Sequence, residues 1–264
     1  MKKSVRLRKL CVGYREGRTS RHVVGPLTVS LYGGELTCLL GSNGMGKSTL
    51  LRTLSGYQPS LSGEIVFVND DGEVSRQTLS AREMALRVGV VLTSHPAVGQ
   101  LTASEVVSMG RTPYTGFWGR LSSHDRNVVE KALSQVGILS LSSRMMGALS
   151  DGERQKVMIA KALAQQTSVI LLDEPTAFLD FPSKVDILQL LRQLARERQD
   201  AILLSTHDLE LALRLADTLW LLDGEGTLHV GSPRALAESG ELSRYVEKGS
   251  LRFNPVDLSI RVVE

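Results

Sequence analysis

The chain alternates short apolar runs with longer segments in which apolar residues recur every three or four positions. Runs of four or five residues with few polar side chains lie at 36–40, 88–92, 169–172 and 201–204. Such runs are typical of strands buried on both faces of a parallel sheet. Helical spacing is found at 50–54, 79–86, 106–110, 128–136, 157–163, 185–198 and up to about residue 216. The alternation predicts an α/β fold, an open and mainly parallel sheet with helices on both faces.

The N-terminal part has a different pattern, in which strand-like runs at 5–8 and 27–31 alternate with turn signals. These signals are at Gly13, Gly17, Gly25–Pro26 and Gly33–Gly34. They predict an antiparallel β portion ahead of the first parallel strand. Two further strand pairs are indicated, one with a hairpin turn at 69–72 and one with strands at 220–222 and 227–230.

Residues 95–148 carry little strand signal and are predicted to be a helical insertion. Thr102 to Glu105 and Ser122 to Asp125 have the spacing of capping boxes, which mark helix starts. The chain is therefore interpreted as one domain, 1–264, with its core at 1–94 and 149–231 and a helical subdomain at 95–148. Residues 232–264 form a short C-terminal extension, for which Ser232–Pro233 predicts a last helix and Leu251 onwards a terminal strand.

The composition excludes several functional classes. With 31 basic and 28 acidic residues, the formal charge is +3, and no long basic run occurs, so no nucleic-acid partner is expected. Cys11 and Cys38 form no metal-spaced pair, which indicates a reduced, cytosolic compartment. The sequence contains neither a signal peptide nor an apolar run long enough to cross a bilayer. Any role at a membrane would require another chain to hold this one there.

The most informative segment reads Gly-Ser-Asn-Gly-Met-Gly-Lys-Ser-Thr and matches the phosphate-loop pattern G-x-x-x-x-G-K-[ST] between a strand and a helix. Glycines allow backbone N–H groups to surround phosphate oxygens, and a helix N-terminus adds positive potential. Lys47 can reach the β- and γ-phosphates, and Ser48 can ligate Mg²⁺. A glycine-rich turn with a chance Lys-Ser is the alternative, and the flanking strand and helix favour nucleotide binding. The predicted ATP-binding residues are Gly41, Ser42, Asn43, Gly44, Met45, Gly46, Lys47, Ser48 and Thr49.

Polar side chains follow three of the predicted parallel strands, at the sheet edge where ligands bind in such folds. Asp173 comes directly after an apolar strand and is predicted to hold Mg²⁺, while Glu174 is predicted to act as general base toward water. His207 ends another strand and is predicted to donate a hydrogen bond to the γ-phosphate. The alternatives are helix-capping acids and a structural histidine.

Aromatic residues pose two further questions. Tyr14, expected on a turn, either stacks on a nucleotide base or is a plain surface tyrosine. Residues 110–119 contain three aromatics, which form either a partner-docking patch or a small core of the insertion itself.

These motifs, in this order, resemble the ATP-binding subunits of ABC transporters over nearly the whole chain. The segments that carry the resemblance are the phosphate loop, 149–155, 169–175, 177–180 and 205–208. The resemblance implies that two copies pair head to tail, with ATP between one copy's phosphate loop and the other's Ser150, Asp151, Gly152 and Glu153. It also implies that Tyr14 stacks on adenine and that Asp180 lies in the loop linking the two sites.

Two departures from the family pattern affect the expected site. The usual Leu-Ser-Gly-Gly-Gln appears with Asp151 and Glu153, whose negative charges Arg154 and Lys156 can offset. Ser94 stands where the family has a glutamine at the strand end before the insertion. A serine hydroxyl can ligate Mg²⁺ but has a shorter reach, so hydrolysis is expected to depend more strongly on the partner. Gln100 could substitute only if its loop folds back.

Residues 110–114 and 175–180 resemble those of ATPases that serve importers of metal chelates, namely ferric siderophores, haem or cobalamin. The expected partners are a second copy, a membrane permease and, indirectly, a substrate-binding protein, with the chain peripheral on the cytoplasmic membrane face. Because few residues follow the core, no added regulatory domain is expected. The alternatives are an ATPase of another ABC importer or exporter, or a soluble ABC ATPase outside transport.

Overall fold

A computed structural model describes residues 4–17, 19–69, 72–93, 98–116 and 118–263. The strands are β1 (Ser4–Glu16), β2 (Thr19–Tyr32), β3 (Leu36–Leu40), β4 (Ser62–Asn69), β5 (Gly72–Ser75), β6 (Val88–Val91), β7 (Val169–Asp173), β8 (Ala201–Ser205), β9 (Thr218–Leu222), β10 (Leu228–Gly231), β11 (Leu251–Asn254) and β12 (Ser259–Val262). The helices are α1 (Lys47–Leu54), α2 (Ala81–Ala85), α3 (Ala103–Ser108), α4 (Ser123–Gln135), α5 (Asp151–Ala164), α6 (Phe181–Arg198), α7 (Leu209–Leu215), α8 (Pro233–Glu238) and α9 (Glu241–Val246).

The central sheet has the strand order β10-β9-β3-β8-β7-β6. Its pairs are parallel except that of β9 with β10, which is antiparallel as expected. Successive residues of β3 pack into different cores: Leu36, Cys38 and Leu40 into one and Leu39 into the other. This double burial explains why the parallel strands read as continuous apolar runs.

The two faces of the central sheet are covered differently. One face packs against helices α5, α6 and α7, whereas the other packs against α1 and the antiparallel sheet β2-β1-β4-β5. The mainly parallel sheet and the antiparallel β portion are thus confirmed. The expectation that helices alone would cover both faces was too simple.

Two predicted turns in the N-terminal region are wrong. Gly13 lies within β1 and Gly25 within β2, and the chain reverses at Gly17 instead. A Cβ at Gly13 would lie 2.1 Å from the Arg21 carbonyl oxygen, and one at Gly25 would lie 2.3 Å from the Leu10 carbonyl oxygen. The two glycines therefore allow the backbones to approach closely near register shifts in this strand pair. In the sequence, a glycine in this role cannot be distinguished from a glycine in a turn.

The insertion is helical, and its helices begin where the capping boxes predict. Thr102 and Ser122 each accept a hydrogen bond from the backbone N–H three residues on, and Glu105 and Asp125 complete the boxes. Helices α3 and α4 pack on α5. Trp118 is 82% exposed, so the interpretation that these aromatics form the insertion's own core is wrong for it. Tyr114 is 40% exposed, but its ring stacks on the buried Arg111 and its hydroxyl donates to the Gln165 carbonyl oxygen. Phe117 lies outside the described residues.

The C-terminal extension is more structured than the sequence predicts. It consists of α8, α9 and the antiparallel hairpin β11-β12, rather than one helix and one strand. Of the predicted hairpin turn at 69–72, residues 70–71 lie outside the described ranges, but β4 and β5 pair antiparallel on either side. Among the described residues there is no helix that combines the length and the apolar character needed to cross a bilayer.

Candidate functional site

The phosphate loop connects β3 to α1, and its geometry depends on two glycines in left-handed conformations. Gly44 has a φ of 82° and Gly46 a φ of 98°. A Cβ at Gly46 would lie 2.5 Å from the Val23 Cγ1 atom, so a larger residue meets both strain and a clash. Gly46 caps α1 without a side-chain hydrogen bond. The first-turn N–H groups of α1 are therefore not capped by a side chain there, which suits an anion.

Lys47 is folded back along the loop. Its Nζ donates hydrogen bonds to the carbonyl oxygens of Gly41 at 2.6 Å and Ser42 at 3.3 Å. Burial lowers the pKa of the Lys47 ammonium, and the nearby Glu174 and Asp173 carboxylates oppose that shift. The side chain is only 6% exposed, so its charge acts in a poorly solvated environment.

Asp173 ends β7 beside the phosphate loop, as the sequence predicts. Its Oδ1 accepts hydrogen bonds from Ser48 Oγ at 3.2 Å and Ser205 Oγ at 2.7 Å. Thr93 Oγ1 donates to the Asp173 carbonyl oxygen at 2.7 Å, which fixes the strand end from the other side. A carboxylate and a hydroxyl in contact are hard oxygen donors of the kind that Mg²⁺ prefers, so these residues fit the ion.

Glu174 follows in a left-handed conformation with a φ of 47°, which is uncommon for a residue with a side chain. Its backbone N–H donates to Ser205 Oγ at 2.9 Å, so one hydroxyl links Glu174 to Asp173. His207 Nδ1 lies 3.6 Å from Glu174 Oε2, and the imidazole is 59% exposed. Three of the predicted strand-end residues are thereby brought together.

Sequence reasoning missed Ser205 and Thr93. Ser205 pairs in register with Asp173 across the parallel strands β7 and β8. The available signal was a serine directly after the run 201–204, at the same strand end as Asp173. Ser94 itself lies outside the described residues, and Gln100 is exposed and not among the residues that line the cleft.

The phosphate loop forms one wall of a cleft of about 760 Å³. The opposite side is built by the β1-β2 hairpin and by the turn at 223–226. The sequence predicts the strands on either side of that turn, but apart from Tyr14 it places neither the turn nor the hairpin at the site. Tyr14 lies within β1 rather than on a turn, because the hairpin extends to Gly17. Its ring is 40% exposed, and its hydroxyl is 2.9 Å from Thr49 Oγ1, so it faces the cleft from the edge of the phosphate loop.

Ser150, Asp151, Gly152 and Glu153 stand at the start of α5 and do not line this cleft. Ser150 and Glu153 form the predicted capping box, and the hydrogen bonds from Ser150 lower the pKa of Glu153. Asp151 forms an ion pair with Arg154, which offsets one added carboxylate. Asp180 caps α6 by accepting a hydrogen bond from the Ser183 N–H, and Ser183 lies against Gly152. Residues 150–153 and Asp180 thus belong to one surface outside the cleft.

The phosphate loop follows β3 and precedes a helix, and Asp173 stands at the end of β7, two strands away in the sheet. This combination defines a phosphate-loop nucleotide-binding protein. The family model "ABC transporter" matches residues 24–177, which is more than half of the chain. The chain belongs to this family, and it is an ATP-binding, ATP-hydrolysing protein.

Individual relatives agree with that assignment. The iron(3+)-hydroxamate import ATP-binding protein FhuC of Bacillus subtilis is 35% identical, and the alignment covers 99% of this chain and 96% of FhuC. An ABC transporter assigned to the metal-chelate type, solved in an inward-facing conformation, superposes with a TM-score of 0.76 at 27% identity over 92% of this chain and 88% of that one. A dimeric bacterial ABC transporter cassette gives a TM-score of 0.71 at 25% identity over 87% and 98%.

Proposed function

We propose that this chain is the ATP-hydrolysing subunit of an importer for an iron-siderophore, haem or cobalamin, and that it works as an ATP-bridged homodimer on a separate membrane permease. The observation that carries this proposal is the separation of two surfaces. The phosphate loop, Asp173 and Glu174 line or border the cleft, whereas residues 150–153 lie outside it. A second copy is needed to bring such a segment to the nucleotide.

ATP binding is assigned to the phosphate loop and Tyr14. The backbone N–H groups of 41–49 and the start of α1 would hold the phosphates, and Lys47 would move from its carbonyl partners to their oxygens. Tyr14 would stack on the base from the hairpin side. Ser48 and Asp173 would hold Mg²⁺, which neutralises phosphate charge when bound; Ser94 is a further predicted ligand.

Hydrolysis is assigned to Glu174 as the general base that orients and deprotonates water. Its backbone is fixed through Ser205, and its carboxylate is near His207, so both side chains can face the same phosphate. His207 would donate a hydrogen bond to the γ-phosphate. The residues of the second copy, Ser150, Asp151, Gly152 and Glu153, would present the N-terminus of α5 to that phosphate, with Asp180 beside them.

A second surface fits the permease. A groove of about 800 Å³ lies between α2 and the insertion, lined by residues such as Arg82, Met109 and Pro113. The same insertion exposes Trp118 by 82% and also Tyr114 and Met109. Exposed aromatic and methionine side chains on the element that forms a groove are typical of protein-binding surfaces. The chain would lie on the cytoplasmic face of the cell membrane through this contact, with any substrate-binding protein reached through the permease.

The mechanism is tested by Glu174→Gln in the full chain with ATP and Mg²⁺. The variant should bind ATP, form a stable dimer in light scattering and hydrolyse ATP at least a hundredfold more slowly than the unaltered chain. Glu210→Gln is the matched control, because it removes an exposed carboxylate on α7. This variant should hydrolyse ATP like the unaltered chain and should exchange between monomer and dimer. A monomeric or fully active Glu174→Gln variant contradicts the assigned roles.

The transport role is tested with membranes that contain the cell's permeases. Met109→Asp should reduce recovery of the chain with these membranes, whereas Val256→Asp, at an exposed position in the C-terminal hairpin, should not. Stimulation of ATPase activity by a ferric siderophore, haem or cobalamin identifies the substrate. Stimulation only by another substrate indicates a different ABC importer or exporter, and no membrane recovery at all indicates a soluble ABC ATPase.

A further inference from the structure

The short helix α9 of the C-terminal extension lies directly behind the nucleotide cleft. A second cavity of about 510 Å³ separates them, and α9 contributes Glu241, Arg244 and Tyr245 to its lining. Met45 of the phosphate loop and residues 223–225 line both this cavity and the nucleotide cleft. One thin wall therefore has nucleotide on one side and the extension on the other.

That wall is the turn between β9 and β10, and Asp223 determines its shape. Asp223 Oδ1 accepts hydrogen bonds from the Thr227 N–H at 2.8 Å and the Glu225 N–H at 2.9 Å. The Gly25 N–H donates to the Gly226 carbonyl oxygen at 3.4 Å, which connects the turn to β2. The Asp223 carboxylate thus determines the position of the turn at 223–226 relative to the phosphate loop.

Asp223 is in turn held by α9 through a single imidazole. His229 Nε2 lies 3.2 Å from Asp223 Oδ2, and His229 Nδ1 lies 3.3 Å from Glu241 Oε2. Arg244 NH1 donates to the other oxygen, Glu241 Oε1, at 3.0 Å. All three members of the Asp223–His229–Glu241 bridge are half-buried, so their mutual contacts are only partly screened by water.

Tyr245 provides a second connection from α9 to the site. Burial raises the pKa of the Tyr245 phenol, and a hydrogen bond with the Ser42 side chain opposes that rise. Tyr245 also lines the same cavity as Met45 of the phosphate loop, so α9 faces the loop itself as well as the turn beside it. Met45, which packs between the two cavities, completes the connection.

We propose that His229 and Glu241 are positioning residues for ATP binding: they hold the turn at 223–226 in place and so raise the affinity of the cleft for nucleotide without taking part in hydrolysis. Tyr245 assists by fixing the phosphate loop. The inference rests on ATP binding at this cleft and adds a function for the C-terminal extension. It requires that the extension acts on the affinity for ATP and leaves the turnover rate at saturation unchanged.

The experiment measures the dissociation constant for ATP, KM and kcat in the full chain. Glu241→Ala and His229→Ala should each weaken ATP binding and raise KM about fivefold to tenfold, with kcat within twofold of the unaltered chain. The double variant should be no weaker than the worse single variant, because both changes break the same bridge. The side-chain amide of Glu241→Gln can either accept a hydrogen bond from His229 Nδ1 or donate one to it, so this variant should restore most of the affinity.

Glu238→Ala is the matched control, since Glu238 lies on neighbouring α8 and pairs with Arg234, and both side chains are largely exposed to solvent. Tyr245→Phe keeps the packed ring and should raise KM about threefold, which preserves a test if an alanine variant does not fold. Equal KM values in Glu241→Gln, Glu241→Ala and Glu238→Ala, or a loss confined to kcat, would overturn the inference. An unaltered chain that does not bind ATP would instead overturn the proposed function.

Discussion

Replacing Arg111 with methionine should destabilise the whole chain, although Arg111 lies outside the nucleotide cleft. Its side chain is 2% exposed and makes three hydrogen bonds: to Asp125 Oδ1 at 2.8 Å, to the Ala164 carbonyl oxygen at 2.8 Å and to Gln166 Oε1 at 2.7 Å. The guanidinium also stacks 3.8 Å from the centre of the Tyr114 ring. Methionine has a similar volume but cannot supply any of these donors.

The loss should be large because the surroundings cannot close around the new side chain. The preceding Gly110 is so close to α5 that a Cβ there would lie 2.2 Å from the Lys161 carbonyl oxygen. Hydrogen bonds from Ser122 and from Arg111 lower the pKa of Asp125 to about 2, so that carboxylate stays charged when its cation is removed. Breaking a buried pair from one side costs about 3–5 kcal/mol. That is a large part of a typical unfolding free energy of about 5–15 kcal/mol.

Urea unfolding followed by circular dichroism measures this difference. Arg234→Met removes a largely exposed arginine that is paired with Glu238, and it should change the unfolding free energy by less than about 1 kcal/mol. The double variant Arg111→Met/Asp125→Asn should lose less than the sum of its single variants, because the stranded charge is gone. A loss below about 1 kcal/mol for Arg111→Met would refute the argument that this cluster holds the insertion on α5.

Three further outcomes are expected. The pKa of Asp125 is lower in the folded chain than its ordinary 3.8, so its stabilisation is present above pH 4 and is lost as the pH falls toward 2; Asp125→Asn should flatten the acid unfolding curve there. Gly46→Ala should abolish detectable ATP binding in a fluorescence titration while the chain stays folded, because the φ of 98° is needed for the loop. Ser205→Ala should lower kcat about tenfold with little change in ATP affinity, since it frees the Glu174 N–H from its link to Asp173; an unchanged kcat contradicts that positioning role.

The parts of the fold that were predictable are those encoded locally. The phosphate loop needs a strand, glycines and a helix start within about fifteen residues, so its pattern is complete in the sequence. Helix starts at Thr102, Ser122 and Ser150 were equally visible, because a capping box is closed within four residues. The apolar runs identify the parallel strands for the same reason, since burial on both faces removes polar alternation.

The parts that were not predictable depend on pairings between distant segments. Ser205 becomes a partner of Asp173 only through the register of β7 against β8. The turn at 223–226 lines the cleft only because β10 lies beside the N-terminal hairpin. Helix α9 and strands β11 and β12 have six, four and four residues, which is too few to show a periodicity. The turns predicted at Gly13 and Gly25 were wrong because glycine occurs both in turns and where two backbones are in close contact.

Helix α5 has a mechanical consequence. It runs for 14 residues, about 21 Å, without a proline or a break. At its C-terminal end the backbone carbonyl of Ala164 is gripped by Arg111, next to the groove wall formed by Met109 and Pro113. At its N-terminal end it carries Ser150. In the proposed dimer, where Ser150 would contact the ATP of the second copy, a tilt of the groove would be transmitted along this rigid helix and would displace Ser150 relative to that nucleotide.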